Sequence, residues 1–188
     1  MTTPANPAAY RPVDDDEWLV IIDPQAIFAS PSTSAWGSPL WADVEPRLVA
    51  LAEAFGRERP VVPRFVAAPG LGGSWGSYYD EWGFALVPDD DPLYAVVPAL
   101  RSAAGHGVTA GTFGKWNADL RRIVGAQPRM ALAGVSTDCC VIATALPAAD
   151  AGASVRVMAA ACAGSTAENG ERALAAMELF GPQITVVR

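Results

Sequence analysis

The sequence predicts an α/β fold, a three-layer sandwich in which a central, mostly parallel sheet lies between helical layers. Three observations carry this expectation. Short apolar runs alternate with stretches of helical length from Trp18 to Val187, the order that builds one layered α/β unit. The run Trp18-Leu-Val-Ile-Ile22 is continuously apolar and bounded by polar residues, as suits a central parallel strand buried on both faces. No internal repeat or low-complexity linker divides the 188 residues, a length sufficient for one domain with a substantial core. The expected organisation is one domain over residues 15–188, with residues 1–14 as a flexible arm.

The elements follow in order. After the first strand, Asp23-Pro24 marks the C-terminal edge, where open α/β sheets place their ligands. Phe28 to Pro39 is rich in Ser and Pro and reads as a loop; a helix is expected from about Leu40 to Phe55, limited or bent by Pro46. Arg59 to Val66 reads as the second strand, with an irregularity near Pro63. The segment Gly70 to Phe84 carries Trp75, Tyr78, Tyr79, Trp82 and Phe84 among glycines, and reads as a substrate-side loop and short helix. Its other reading is a core flap or an oligomer contact. Leu93 to Leu100 is apolar but interrupted by Pro98, and no element is assigned there. Gly107–Ala110 reads as a short strand and Ala118–Val124 as a small helix. Arg129–Gly134 is the clearest central strand, followed by a helix from about Cys139 to Ala151. A strand at Ser154–Ala159, a helix at Ala167–Phe180 and a strand at Ile184–Val187 complete the chain.

Composition narrows the function classes. A formal charge of -7 argues against nonspecific binding to a phosphate backbone, so no nucleic-acid partner is expected. No apolar run approaches the roughly 18–20 residues that span a bilayer, and the N-terminus lacks a basic and apolar leader, so a cytoplasmic protein with no membrane partner is expected. Three cysteines, two of them adjacent, make neither a disulfide framework nor a C-x-x-C motif. His106 is the sole histidine, and it sits in a Gly-rich turn. No metal-ligand spacing emerges, and Gly70-Leu-Gly-Gly73 matches neither a phosphate loop nor a dinucleotide fingerprint. The expectation is no metal and no cofactor.

Chemistry concentrates in Met130-Ala-Leu-Ala-Gly134-Val-Ser-Thr-Asp-Cys139-Cys140-Val-Ile-Ala-Thr144. A buried strand breaks at glycine and delivers a cysteine to the start of a helix, with Thr137 and Asp138 placed to cap it. Helix N-terminal amides stabilise a thiolate and can hold an oxyanion. The two cysteines point in different directions, because a helix turns about 100° per residue. Cys140 is the sharper nucleophile, and buried inert thiols are the other reading of the pair. Asp23 reads as the general base or as a turn cap, and Lys115, the only lysine, reads as the partner charge or as a surface residue. Together they point to a cysteine-dependent hydrolase acting on a small-molecule substrate.

The stretch Gly134-Val-Ser-Thr-Asp-Cys139-Cys140-Val141, with Ala143-Thr-Ala-Leu146, Asp150-Ala-Gly152 and Val20-Ile-Ile-Asp23-Pro-Gln25, resembles the isochorismatase-like cysteine hydrolase superfamily over about residues 17–188. The resemblance implies an isochorismatase-like sheet between helical layers and an Asp-Lys-Cys triad. In this sequence the triad is Asp23, Lys115 and Cys140, although the usual lysine position falls nearer Thr109 or Ala110. It implies a cis peptide at Val135–Ser136 and an oxyanion hole formed by the Ser136 and Cys140 amides. Zinc-dependent nicotinamidases of the family carry a histidine-rich motif where this sequence has Arg64-Phe-Val-Ala-Ala-Pro69, which departs from that subgroup. The implied reaction is hydrolysis of a small amide, carbamoyl or ureido C–N bond through a thioester, with Trp75, Tyr78 and Trp82 on the substrate side. Two alternatives stay open: vinyl ether hydrolysis of the isochorismatase kind, and a catalytically silent interaction protein. A homodimer or homotetramer is expected.

Overall fold

A computed structural model describes residues 10–188. Six strands form one sheet in the order β3-β2-β1-β4-β5-β6: β1 (Trp18–Ile22), β2 (Pro60–Phe65), β3 (Gly107–Ala110), β4 (Arg129–Val135), β5 (Ser154–Ala163) and β6 (Ile184–Val187). Every neighbouring pair is parallel. The helices are α1 (Ala26–Ala29), α2 (Trp41–Phe55), α3 (Ser74–Glu81), α4 (Ala118–Val124), α5 (Ile142–Asp150) and α6 (Ala167–Glu178).

Strand β1 shows why the sheet is central. Leu19 and Ile21 face one core with α2, while Val20 and Ile22 face the other with α4, α5 and α6. Alternate residues point to opposite faces, so an unbroken apolar run is what a strand covered on both sides requires. The chain builds β2 and β3 on one side of β1, then crosses to lay β4 on the other. That reversal opens a crevice beyond the carboxyl ends of β1 and β4, the place where such sheets bind ligands.

Two local features shape that crevice. Pro63 offers a carbonyl but no N–H, and the Asp23 amide donates to that carbonyl at 3.1 Å just after β1 ends. Asp23 itself has φ 49°, a left-handed conformation that aspartate tolerates better than most residues and that recurs at functional sites. In β4, Gly134 has φ 115°, and a Cβ there would stand 2.2 Å from the Ile22 carbonyl oxygen. Only glycine lets β4 pass β1 this closely. Gly134→Ala is expected to cost about 3 kcal/mol or more of unfolding free energy, or to prevent folding; a wild-type midpoint in urea denaturation would contradict this.

Several boundaries differ from the sequence expectation. The stretch read as loop from Phe28 begins inside α1. Pro46 lies within α2 without ending it, and α3 starts at Ser74. The unassigned segment near Pro98 forms short 3-10 turns at Pro92–Tyr94 and Pro98–Ala103, each opened by a proline at its first position. Strand β5 continues four residues past Ala159, and its pairing with β4 shifts register between Leu132 and Gly134. Of the expected N-terminal arm, residues 1–9 lie outside the described residues. In the remainder, the Val13 amide donates to Glu17 at 2.8 Å and Asp14 pairs with Arg129.

Candidate active site

The crevice holds Asp23, Lys115 and Cys140 together. Asp23 comes from the end of β1 and Cys140 from the turn after β4. Lys115 comes from the loop between β3 and α4. The Asp23 and Lys115 side chains are fully buried, with Lys115 Nζ 3.0 Å from Asp23 Oδ2. Lys115 Nζ also donates to the Thr112 carbonyl at 2.9 Å and lies 5.4 Å from the centre of the Phe65 ring. A buried carboxylate is costly unless paired, and the Lys115 ammonium supplies its counter-charge. Lys115 is thus the buried partner and not a surface residue, although its place in sequence lies beyond Thr109 and Ala110.

The electrostatics of the thiol reverse a simple expectation. Burial pushes Cys140 well above the ordinary thiol range and the Asp23 charge adds to this; Lys115 opposes both without overcoming them. Burial likewise raises Asp23, against the lowering pull of Lys115 and of the Cys140 thiol. These directions favour the neutral thiol at Cys140 over a thiolate held by a helix dipole. The local backbone also departs from a regular helix start. Residues Thr137–Val141 form a π-type turn before α5, and the amides of Cys139 and Val141 both donate to the Ser136 carbonyl at 3.1 Å. Asp138 does not cap this turn, because its carboxylate accepts from the Ser165 amide at 2.7 Å and the Ser165 hydroxyl at 2.6 Å. The Val135–Ser136 peptide is cis.

Thr144 ties the pieces together and escaped the sequence reading. Its hydroxyl donates to the Cys140 carbonyl at 2.7 Å and accepts from the Lys115 amide at 2.9 Å, bridging the cysteine turn to the lysine loop. A fully buried threonine four residues after a candidate cysteine is the available signal, since threonine bonds back to the i-4 carbonyl. Gly114 allows the same approach, because a Cβ there would stand 2.5 Å from the Ala143 carbonyl oxygen. Thr144→Val keeps the shape and removes both bonds. It is expected to lower unfolding free energy by about 1–3 kcal/mol in urea denaturation, and an unchanged value would rule the bridge out.

Above the three residues lies a cavity of about 310 Å³, at the small end of the ~300–1,000 Å³ usual for small-molecule sites. Tyr78 and Trp82 line it, together with Ser136, Cys139 and Cys140. Trp75 does not line it. Its ring stands behind the wall, 5.2 Å from both Tyr78 and Phe113, and so supports the lining from outside. Trp36 was hidden in a Ser- and Pro-rich loop and is the central wall. Its ring packs within 4.9–6.1 Å of Phe28, Phe65, Tyr78, Trp82 and Phe84. A lone tryptophan amid Ser-Thr-Ser-Ala and Gly-Ser-Pro was its only sequence trace.

An isochorismatase domain profile matches residues 17–187. The chain belongs to the isochorismatase family. Among solved structures it is similar to an isochorismatase family protein from Desulfovibrio vulgaris subsp. vulgaris str. Hildenborough, at 23% identity and TM-score 0.75, over 93% of this chain and 94% of that one. It is similar to a cysteine hydrolase from Pseudomonas syringae pv. phaseolicola 1448A at 18% identity and TM-score 0.76, over 98% and 92% of the two chains. A pyrazinamidase of Pyrococcus horikoshii in complex with zinc shares 24% identity and TM-score 0.69, over 92% and 99%. At these identities the likeness is one of fold. No curated protein matches the sequence.

The fold and the family thus agree with the expectation drawn from the Gly134–Val141 motif, and family members are hydrolases, some of them described as cysteine hydrolases. Among the described residues no three His, Cys, Asp or Glu side chains gather as a candidate metal site. No helix of the described residues is long and apolar enough to cross a membrane.

Proposed function

We propose that this isochorismatase-family protein hydrolyses a C–N bond of a small amide, carbamoyl or ureido substrate through a thioester on Cys140. The observation that carries the reading is the meeting of a buried Asp23–Lys115 pair with the Cys140 thiol beside an open, aromatic-lined cavity. Asp23 accepts the thiol proton as sulfur attacks the substrate carbonyl, so the thiolate exists only while the new C–S bond forms. Lys115 balances the negative charge that this transfer moves between carboxylate and sulfur. The amides of Ser136 and Cys140 hold the oxyanion. The protonated Asp23 then gives its proton to the leaving nitrogen as the C–N bond breaks. Water, deprotonated by Asp23, attacks the thioester, and the proton returns to the sulfur as the acid product leaves. No step uses a metal or cofactor.

One observation favours a second reading, vinyl ether hydrolysis. Burial raises the Asp23 pKa, and a carboxyl that keeps its proton is what an acid-initiated ether cleavage requires. Product analysis separates the two. Amide, carbamoyl or ureido cleavage releases ammonia or an amine, whereas vinyl ether cleavage of the isochorismate kind releases pyruvate. A panel of small amides, carbamoyl compounds and ureido compounds, assayed for ammonia, is the direct test; pyruvate release from a vinyl ether without any ammonia release would remove the first reading. A silent interaction protein would have no reason to keep Lys115 buried beside Asp23 under an open cavity. One catalytic domain over residues 15–188, assembled as a homodimer or homotetramer, belongs to the same proposal, with light scattering as its check.

A further inference from the structure

We infer that the cavity selects an uncharged, apolar acyl group and rejects carboxylate-bearing substrates, with Trp36 as the specificity-determining wall. This rests on the amide reading above and narrows it. Six aromatic rings line the cavity: Phe28, Trp36, Phe65, Tyr78, Trp82 and Phe113. No Arg, Lys or His lines it among the described residues. The cation beneath, Lys115, is committed to Asp23 at 3.0 Å and to the Thr112 carbonyl at 2.9 Å. A substrate carboxylate could claim it only by leaving Asp23 buried and unpaired.

The polar groups of the lining point the same way. Ser165 spends its hydroxyl on Asp138, whose carboxylate adds negative charge behind that wall. Tyr78 is a neutral phenol at neutral pH, as an ordinary tyrosine is, and burial raises its proton affinity further, so it offers a hydrogen-bond donor and no charge. A carboxylate entering this space would lose its water and gain no counter-ion, whereas a flat apolar group gains ring contacts on several sides.

The position of Trp36 is built rather than incidental. The Ser34 hydroxyl donates to the Ile27 carbonyl at 2.5 Å and accepts from the Trp36 amide at 3.0 Å. The buried Ser38 hydroxyl donates to the Gly164 carbonyl at 2.8 Å, pinning the loop to the far end of β5. Gly37 leaves no room for a side chain, because a Cβ would stand 1.9 Å from the Ser30 carbonyl oxygen. The loop therefore holds the Trp36 ring nearly parallel to Phe28, at 6°, and 4.9 Å from Phe84.

The test uses a rigid matched pair, benzamide and 4-carbamoylbenzoate, with binding to the Cys140→Ala protein followed by tryptophan fluorescence and calorimetry. Benzamide is expected to bind at least tenfold more tightly than its carboxylate analogue. Trp36→Ala in the same background should lose about tenfold in benzamide affinity, while Trp36→Phe retains most of it. Phe113→Arg, at an exposed position, should raise 4-carbamoylbenzoate affinity about tenfold by placing a cation at the rim. Equal or tighter binding of the carboxylate, no binding of either probe, or indifference to both Trp36→Ala and Phe113→Arg overturns the inference. Turnover by the unsubstituted protein is read separately. Selective binding with no ammonia release from bound benzamide keeps the selectivity and removes the amide reading; ammonia release from both probes at similar kcat/KM keeps the amide reading and removes the selectivity.

Discussion

Cys140→Ala is expected to lower amide turnover by roughly 10⁴-fold or more, the scale seen when a covalent nucleophile is removed from a site whose members act as a unit. Alanine leaves the aromatic cavity and the Asp23–Lys115 pair in place, so substrate binding should survive. The decisive measurement is mass spectrometry of acid-quenched protein during turnover. The unsubstituted protein should gain one acyl mass, and the Cys140→Ala protein none. Cys139→Ala serves as the control: its thiol is exposed and accumulates no acyl group in this mechanism, so the adduct should persist. Undiminished turnover by Cys140→Ala would move the chemistry to Asp23 acting as an acid, and pyruvate release would then be the product to seek.

The second large effect concerns the buried pair. Lys115→Met should cost about 3–5 kcal/mol at neutral pH, because it strands the Asp23 carboxylate without a counter-charge. The Cys140 thiol and the Phe65 backbone also face Asp23, but both are neutral, so no second cation is placed to compensate. The pH dependence carries a definite sign. Asp23 is raised in the folded protein, so between its unfolded value of about 4 and its higher folded value the folded state holds more protons. Unfolding free energy therefore falls as pH rises through that window. Removing Lys115 lifts the folded value further and widens the window. The Lys115→Met defect should be smallest near pH 4 and grow toward neutrality. The double variant Asp23→Asn with Lys115→Met removes both charges and should recover to within about 1 kcal/mol of the starting stability, while remaining inactive. Urea denaturation from pH 4 to 8 checks all three proteins. A Lys115→Met protein as stable as the original across that range would show that the ion pair does not hold the site together.

Local chemistry made the sheet and the cysteine motif readable. An unbroken apolar run at Trp18–Ile22, a glycine break at Gly134 and an aspartate at a strand end are signals carried within a few residues. They sufficed to place Asp23 and Cys140 at the same sheet edge, since the carboxyl ends of parallel strands lie together. The helix ends were less legible. Asp138 has the composition of a cap, yet it is drawn away by Ser165, 27 residues distant in sequence. Nothing local to residues 137–141 records that competition.

By itself, then, the sequence determined the α/β class, the two strands that carry the site, the candidate cysteine and its acidic partner, and the family. Tertiary structure decided the rest. It buried Lys115, because the Lys115 amide donates to the Thr144 hydroxyl and the missing side chain at Gly114 lets its loop dock closely on α5. It moved Trp75 behind the cavity wall and brought Trp36 into it, because serine hydroxyls anchor one loop to distant backbone. It raised the proton affinity of Cys140, because desolvation and the Asp23 charge outweighed the nearby Lys115 cation. The physical reason is common to all of these. Periodicity and turn chemistry are properties of neighbours in the chain, whereas burial, charge pairing and proton affinity are set by groups that only folding brings within a few ångströms.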